Sequence, residues 1–198
     1  MDTTGGGKTT VLKLMMGLYH PQAGRVVIDD TNVRQFDPLV LRRSVAYAPK
    51  RNYLFYGTIA QNILLANPAA TEDALLQAAD QAMVLEEILA MPEGMQTRIG
   101  DHNINRLSLS FQKQVCLARV FLRNSRIILL DEPEYGLPDP LQERLLRKLE
   151  SMKGEHTLFV ATHLPDLFHV ADKALWLENG RVRAWGPAAT VARLYSKR

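Results

Sequence analysis

Six residues near the start of the chain, Gly5-Gly6-Gly7-Lys8-Thr9-Thr10, have the types and spacing of a loop that cradles phosphate. Glycines allow backbone N–H groups to turn inward on phosphate oxygens. The run that follows, Val11-Leu12-Lys13-Leu14-Met15-Met16, reads as a helix whose N-terminus adds positive potential at the same place. In such a loop Lys8 reaches the terminal phosphates and the Thr9 hydroxyl ligates Mg²⁺. Thr4 on the upstream side and Thr10 on the downstream side complete the candidate phosphate contacts. The full pattern G-x-x-x-x-G-K-[ST] calls for a first glycine where Asp2 stands.

A second group that could do chemistry lies far downstream, in Ile127-Ile128-Leu129-Leu130-Asp131-Glu132-Pro133. Carboxylates at the C-terminal end of a buried apolar strand sit where an α/β sheet binds its ligands. Asp131 is suited to hold Mg²⁺, directly or through water, and Glu132 to orient or deprotonate an attacking water. A third group is Ala161-Thr162-His163, where a histidine at a strand tip could reach a terminal phosphate.

Positioning these groups requires an alternation of strands and helices, which predicts an α/β fold with a mostly parallel sheet. Strands are expected at Arg25–Ile28, Val45–Ala48, Ile127–Leu130 and Thr157–Ala161. Asp37-Pro38 has the chemistry of a helix N-cap and first turn. From Thr58 to about Met91 the pattern is helical, with Thr71 as a further cap ahead of Glu72 and Asp73. Helices are also expected over Ser110–Arg123 and Pro140–Met152, and a hairpin over Leu175–Val182 turning at Asn179-Gly180. Leu54, Phe55 and Tyr56 form an apolar cluster at a helix start, suited either to plain core or to contact with another domain.

Composition narrows the function classes. The 198 residues are 46% hydrophobic and 23% charged, as in an ordinary globular domain with a sizeable core. The formal charge of +3 comes from scattered Lys and Arg without a basic block, which argues against nucleic acid as a partner. Cys116, the single cysteine, rules out an internal disulfide and reads as a small buried residue. No apolar run reaches the ~20 residues of a membrane span.

The order of the phosphate loop, Gly24-Arg25-Val26-Val27-Ile28-Asp29, Ala46-Tyr47-Ala48-Pro49, Leu54-Phe55-Tyr56-Gly57-Thr58-Ile59, Leu107-Ser108, Leu117-Ala118-Arg119, Leu129-Leu130-Asp131-Glu132-Pro133 and Ala161-Thr162-His163 resembles the nucleotide-binding domain of an ABC transporter. Phe55-Tyr56-Gly57-Thr58 followed by Gln61-Asn62-Ile63 looks most like the exporter branch, especially the ATPases of bacterial type I secretion. The resemblance covers essentially the whole chain. It implies a P-loop NTPase fold, RecA-like, as one domain over 1–198 with a helical subdomain inserted at about 58–123. It further implies ATP and Mg²⁺ as cofactors, with Glu132 and His163 in catalysis, Thr4 to Thr10 on phosphate, and Thr9 and Asp131 on the metal. Two such domains close head to tail on two ATP molecules, so Ser108 would serve a partner's site. The implied setting is the cytoplasmic side of a bacterial inner membrane, on a transmembrane domain. A central strand and an adenine-stacking aromatic are expected before Met1. ABC ATPases that act on DNA or ribosomes fit poorly, because 58–91 lacks sustained heptads.

Departures from the family pattern sharpen these expectations. The signature Leu-Ser-Gly-Gly-Gln falls on Leu107, Ser108, Leu109, Ser110 and Phe111, so Leu109 and Phe111 are expected to put bulk where glycine and glutamine allow close approach. Lys50 stands where the family has glutamine; it cannot ligate Mg²⁺ but could pair with phosphate. The stretch Tyr135-Gly136-Leu137-Pro138 replaces a Ser-Ala-Leu-Asp loop, with Asp139 one place late. What the chain does in cis is mostly kept and what it offers in trans is degraded, which predicts a heterodimer with unequal ATP sites. The alternative is an impaired or truncated domain that binds nucleotide weakly or has only a structural or regulatory role.

Overall fold

A computed structural model describes residues 6–100 and 107–196. Helix α1 (Lys8–Met15) opens it, followed by a tight hairpin of β1 (Val27–Ile28) and β2 (Thr31–Asn32). The expected strand at Arg25–Ile28 is thus cut to two residues and paired antiparallel. Asp29 and Asp30, at φ 46° and 62°, make the two-residue turn that reverses the chain there.

Helix α2 (Pro38–Ser44) starts as expected, with an oxygen of Asp37 accepting from the N–H groups of Leu39 and Val40. It leads into β3 (Val45–Ala48). A two-residue β4 (Gly57–Thr58) then precedes three helices, α3 (Ile59–Leu64), α4 (Glu72–Gln81) and α5 (Leu85–Leu89). The helical pattern of 58–91 is therefore three short helices. Thr58 and Thr71 cap the first two, and Met83 at φ 63° breaks the chain before the third. Strand β5 (Arg98–Ile99) pairs back on β4.

Helix α6 (Leu109–Arg123) starts one residue earlier than its apolar pattern suggests, because Ser108 caps it. Strand β6 (Ile127–Asp131), α7 (Asp139–Ser151), β7 (Thr157–Ala161), α8 (Leu167–Val170), the hairpin β8 (Lys173–Glu178) and β9 (Arg181–Pro187), and α9 (Ala188–Tyr195) complete the chain. Asn179-Gly180 makes the hairpin turn.

Among the described residues the parallel sheet has the order β3-β6-β7, and the other three sheets are two-stranded and antiparallel. Side chains alternate across β6. Ile128 and Leu130 join Ala46, Ala48, Phe111, Leu117 and Leu145 in the larger core on one face, while Leu129 joins Leu12, Val45 and Ala161 on the other. Helix α1 covers one face of the sheet and α6 the other, so β6 is buried on both sides, and its unbroken apolar run reflects that. Cys116 is buried and free. Among the described residues no helix is long and apolar enough to cross a membrane.

Candidate functional site

The register of the parallel sheet brings the distant motifs to one edge. Ala48 lies beside Leu130, and Asp131 beside Ala161. The residues just past these strand ends, Lys50, Glu132 and His163, therefore emerge together, which is the ligand-binding edge of an α/β sheet. Helix α1 packs against β6 and β7 and adds its own N-terminus to the group.

At that N-terminus Gly7 takes φ 92°, a left-handed conformation that glycine adopts without steric cost, and as N-cap it has no side chain to cap the helix. The N-cap residue itself thus leaves the helix N-terminus uncapped, which suits a phosphate. A Cβ on Gly6 would come within 3.3 Å of the Leu177 carbonyl oxygen, so the hairpin β8–β9 closes directly on this loop. Thr4 and Gly5, also expected to touch phosphate, lie outside the described residues. Thr10 is exposed.

Thr9 donates its hydroxyl to Oδ2 of Asp131 at 2.7 Å, joining the loop to the end of β6. Asp131 is 1% exposed, and its other oxygen, Oδ1, is buried without a hydrogen-bond partner. An orphaned carboxylate oxygen beside a hydroxyl is a costly arrangement unless a cation is to be held there. Among the described residues no cluster of three or more His, Cys, Asp or Glu forms a metal cage. Mg²⁺ suits this site, because it is usually held by one or two protein oxygens with substrate phosphates supplying the rest. Tyr47 faces the same carboxylate. Burial, and then the negative charge of Asp131, push its phenol up to about 12.

Glu132 stands at φ 47°, an unusual conformation for a residue with a Cβ, and its N–H donates to the Ala161 carbonyl at 2.7 Å. Such conformations are strained by about 1–3 kcal/mol and gather at functional sites. Its carboxylate meets two basic groups. Lys50 Nζ lies 2.9 Å from Oε1 and 2.8 Å from Oε2, and His163 Nε2 lies 3.3 Å from Oε1. The His163 backbone is fixed by Glu134, whose Oε1 accepts from the His163 N–H at 3.1 Å and from the Thr162 hydroxyl at 2.5 Å.

The structure thus brings Thr9 onto Asp131 and His163 onto Glu132. Three contributors escaped sequence reasoning. The Lys50–Glu132 pair depends on strand adjacency, Glu134 looks like an ordinary turn residue, and Tyr47 looks like core. Ser108 is exposed, and its hydroxyl accepts the Phe111 N–H at 3.0 Å as the cap of α6. One expectation is corrected. Phe111 is fully buried and puts no bulk on the surface, because the first turn of α6 rotates it inward; Leu109, 56% exposed, is the side chain left outside.

Comparison with known proteins identifies a family. The family model described as ABC transporter matches residues 3–134. An ABC transporter ATP-binding/permease protein of Haemophilus influenzae is 34% identical over 179 residues, covering 90% of this chain and 32% of that protein. The ABC transporter ATM1 of Toxoplasma gondii is 32% identical over 186 residues, covering 94% of this chain and 16% of that protein. A solved bacterial Atm1-family ABC exporter with ATP bound superimposes with a TM-score of 0.89 at 26% identity, over 97% of this chain and 34% of that one. The chain spans about a third or less of the length of these relatives. On its fold, its site and these matches, the chain belongs to the ABC transporter family and carries the nucleotide-binding domain of that family.

Proposed function

We propose that this domain binds Mg-ATP at the edge of its parallel sheet and drives an ABC exporter by closing on a second nucleotide-binding domain. The observation that carries the reading is the 2.7 Å bond between Thr9 and Asp131, which unites the phosphate loop with a buried, half-partnered carboxylate. In this reading Thr4, Gly5, Gly6, Gly7 and Thr10 contact phosphate oxygens, and Lys8 adds a cation. Thr9 and Asp131 hold Mg²⁺, which when bound neutralises charge on the terminal phosphates. Glu132 orients or deprotonates the attacking water, and His163 contacts the γ-phosphate. The helices of 58–123 form a subdomain that meets a transmembrane partner on the cytoplasmic face, with exposed Phe55 and Tyr56 as contacts, whereas Leu54, the third residue of that apolar cluster, packs against the core. Ser108 serves the partner's ATP.

The exposed Leu109 and the replaced loop at Tyr135–Pro138 support a heterodimer whose second site hydrolyses poorly. The test is ATPase activity of the chain alone and mixed with candidate partner domains. Activity is expected only on mixing, and to fall about 10²–10³-fold with Lys8→Ala. Rapid hydrolysis by the purified chain alone would overturn the heterodimer. A weak or purely structural nucleotide site is the competing reading, favoured by the ion pair that occupies Glu132, and failure of the chain to bind ATP would establish it.

A further inference from the structure

Lys50 and Glu132 face each other for a reason built into the sheet. Each lies two residues past a register pair, Ala48 and Leu130, so both leave their strands at the same height. The backbone of the lysine is fixed from below. Lys113, a fully buried residue of α6, donates Nζ to the Lys50 carbonyl at 3.0 Å and to the Pro49 carbonyl at 3.4 Å. The two side chains differ in freedom. Glu132 is 11% exposed and held by strained backbone, while Lys50 is 39% exposed and borders solvent, with the Tyr135 ring 5.6 Å from its ammonium.

The contact occupies both carboxylate oxygens of Glu132, and Oε1 also faces His163. A carboxylate so engaged has little capacity left to orient water. An ammonium has three donors and no acceptor, so only another anion can compete for it. Asp131, adjacent in sequence and tied to Thr9, marks where that anion arrives.

We propose that Lys50 reads the terminal phosphate of the nucleotide: it closes over Glu132 when no triphosphate is present, and the γ-phosphate of ATP draws it off and releases the carboxylate. The inference rests on the phosphate-site reading of Lys8, Thr9 and Asp131. The Glu132 contact holds Lys50 in its charged form, raising its pKa, which keeps it a cation ready for transfer. ADP, lacking the third phosphate, leaves the pair closed. Glutamine at position 50 could not act this way, because it has no charge to exchange between two anions.

The experiment measures ATP and ADP affinity of the full chain with Mg²⁺ by calorimetry, for the wild type, Lys50→Met, Glu132→Gln and the double variant. Lys50→Met is expected to weaken ATP binding about fivefold, as for a partly exposed charge-assisted contact, with ADP changing less than twofold. Glu132→Gln is expected to tighten ATP binding by a similar factor, and that gain is expected to vanish when Lys50 is Met. Lys50→Arg, which keeps the charge, is expected to restore the preference for ATP. An ATP-to-ADP ratio equal in all variants, with ATP still bound, overturns the inference and leaves the phosphate site standing. No ATP binding by the wild type overturns the phosphate site, and this inference with it.

Discussion

The Thr9 hydroxyl and the Asp131 carboxylate meet at 2.7 Å across 122 positions of sequence, and only one oxygen of Asp131 is satisfied by the contact. A buried carboxylate with an idle oxygen is destabilising in the free protein and useful only when a cation arrives. Asp131→Asn is therefore expected to keep or raise the melting temperature without ligand. It is also expected to abolish the extra stabilisation from Mg-ATP, worth about 2.7 kcal/mol at a hundredfold excess over Kd. Thermal melts with ATP, with and without Mg²⁺, check both halves; a fall in the ligand-free midpoint would contradict the argument.

Tyr47 provides a pH signature for the same carboxylate. Its phenol is pushed up to about 12 in the fold from 10.0 for an ordinary tyrosine, by burial first and by Asp131 next. Between those values the unfolded chain loses the proton more readily than the folded one, so stability present below pH 10.0 is lost as pH rises toward 12. Tyr47→Phe cannot titrate there. Urea midpoints at pH 9 and pH 11 are expected to fall more steeply for the wild type than for the variant.

Much of the fold and part of the site could be read from residue order alone. Ile127–Leu130 followed by Asp131 and Glu132 announces a central strand and the edge where its candidate site lies, since only a strand covered on both faces is so uniformly apolar. Asp37, Thr58 and Thr71 mark helix starts because their side chains serve backbone N–H groups within three residues. What stayed hidden depends on neighbours far apart in the chain. That Lys50 lies against Glu132 follows from β3 pairing with β6, and that Lys113 is buried follows from α6 packing beneath residues 49–50. No local pattern encodes either. The inward turn of Phe111 is hidden for another reason. The resemblance to the signature pattern places it in a surface motif, whereas the Ser108 cap sets the phase of α6 and directs it to the core.

That phase separates two substitutions in the degraded signature. Phe111 is fully buried, so Phe111→Gln is expected to cost about 3 kcal/mol or more, through lost packing and an amide without partners. Leu109 is 56% exposed at the first position of α6, so Leu109→Gly is expected to cost no more than about 1 kcal/mol. Urea denaturation of the two variants checks the order; near-equal losses would place Phe111 on the surface after all.

The exposed loop before α3 is held by one buried amide and one guanidinium. Asn62, 1% exposed, accepts the Phe55 N–H at 2.8 Å and donates to the carbonyls of Phe55 and Thr58 at 2.9 and 3.0 Å. Arg119 clamps Asn62 from α6, donating to its carbonyl and its side-chain oxygen, both at 2.7 Å, while a third donor reaches the Tyr53 carbonyl at 2.5 Å. Tyr53, Phe55 and Tyr56 are thereby presented to solvent on a fixed backbone. Lysine has one ammonium and cannot reproduce this planar fork of donors. Arg119→Lys is expected to leave the sheet intact but to speed amide exchange at residues 53–57 by tenfold or more, the equivalent of about 1.4 kcal/mol of local opening. Hydrogen exchange read by mass spectrometry resolves that segment from the core. Unchanged exchange there would mean that Asn62 alone holds the loop, and that the guanidinium contributes only packing.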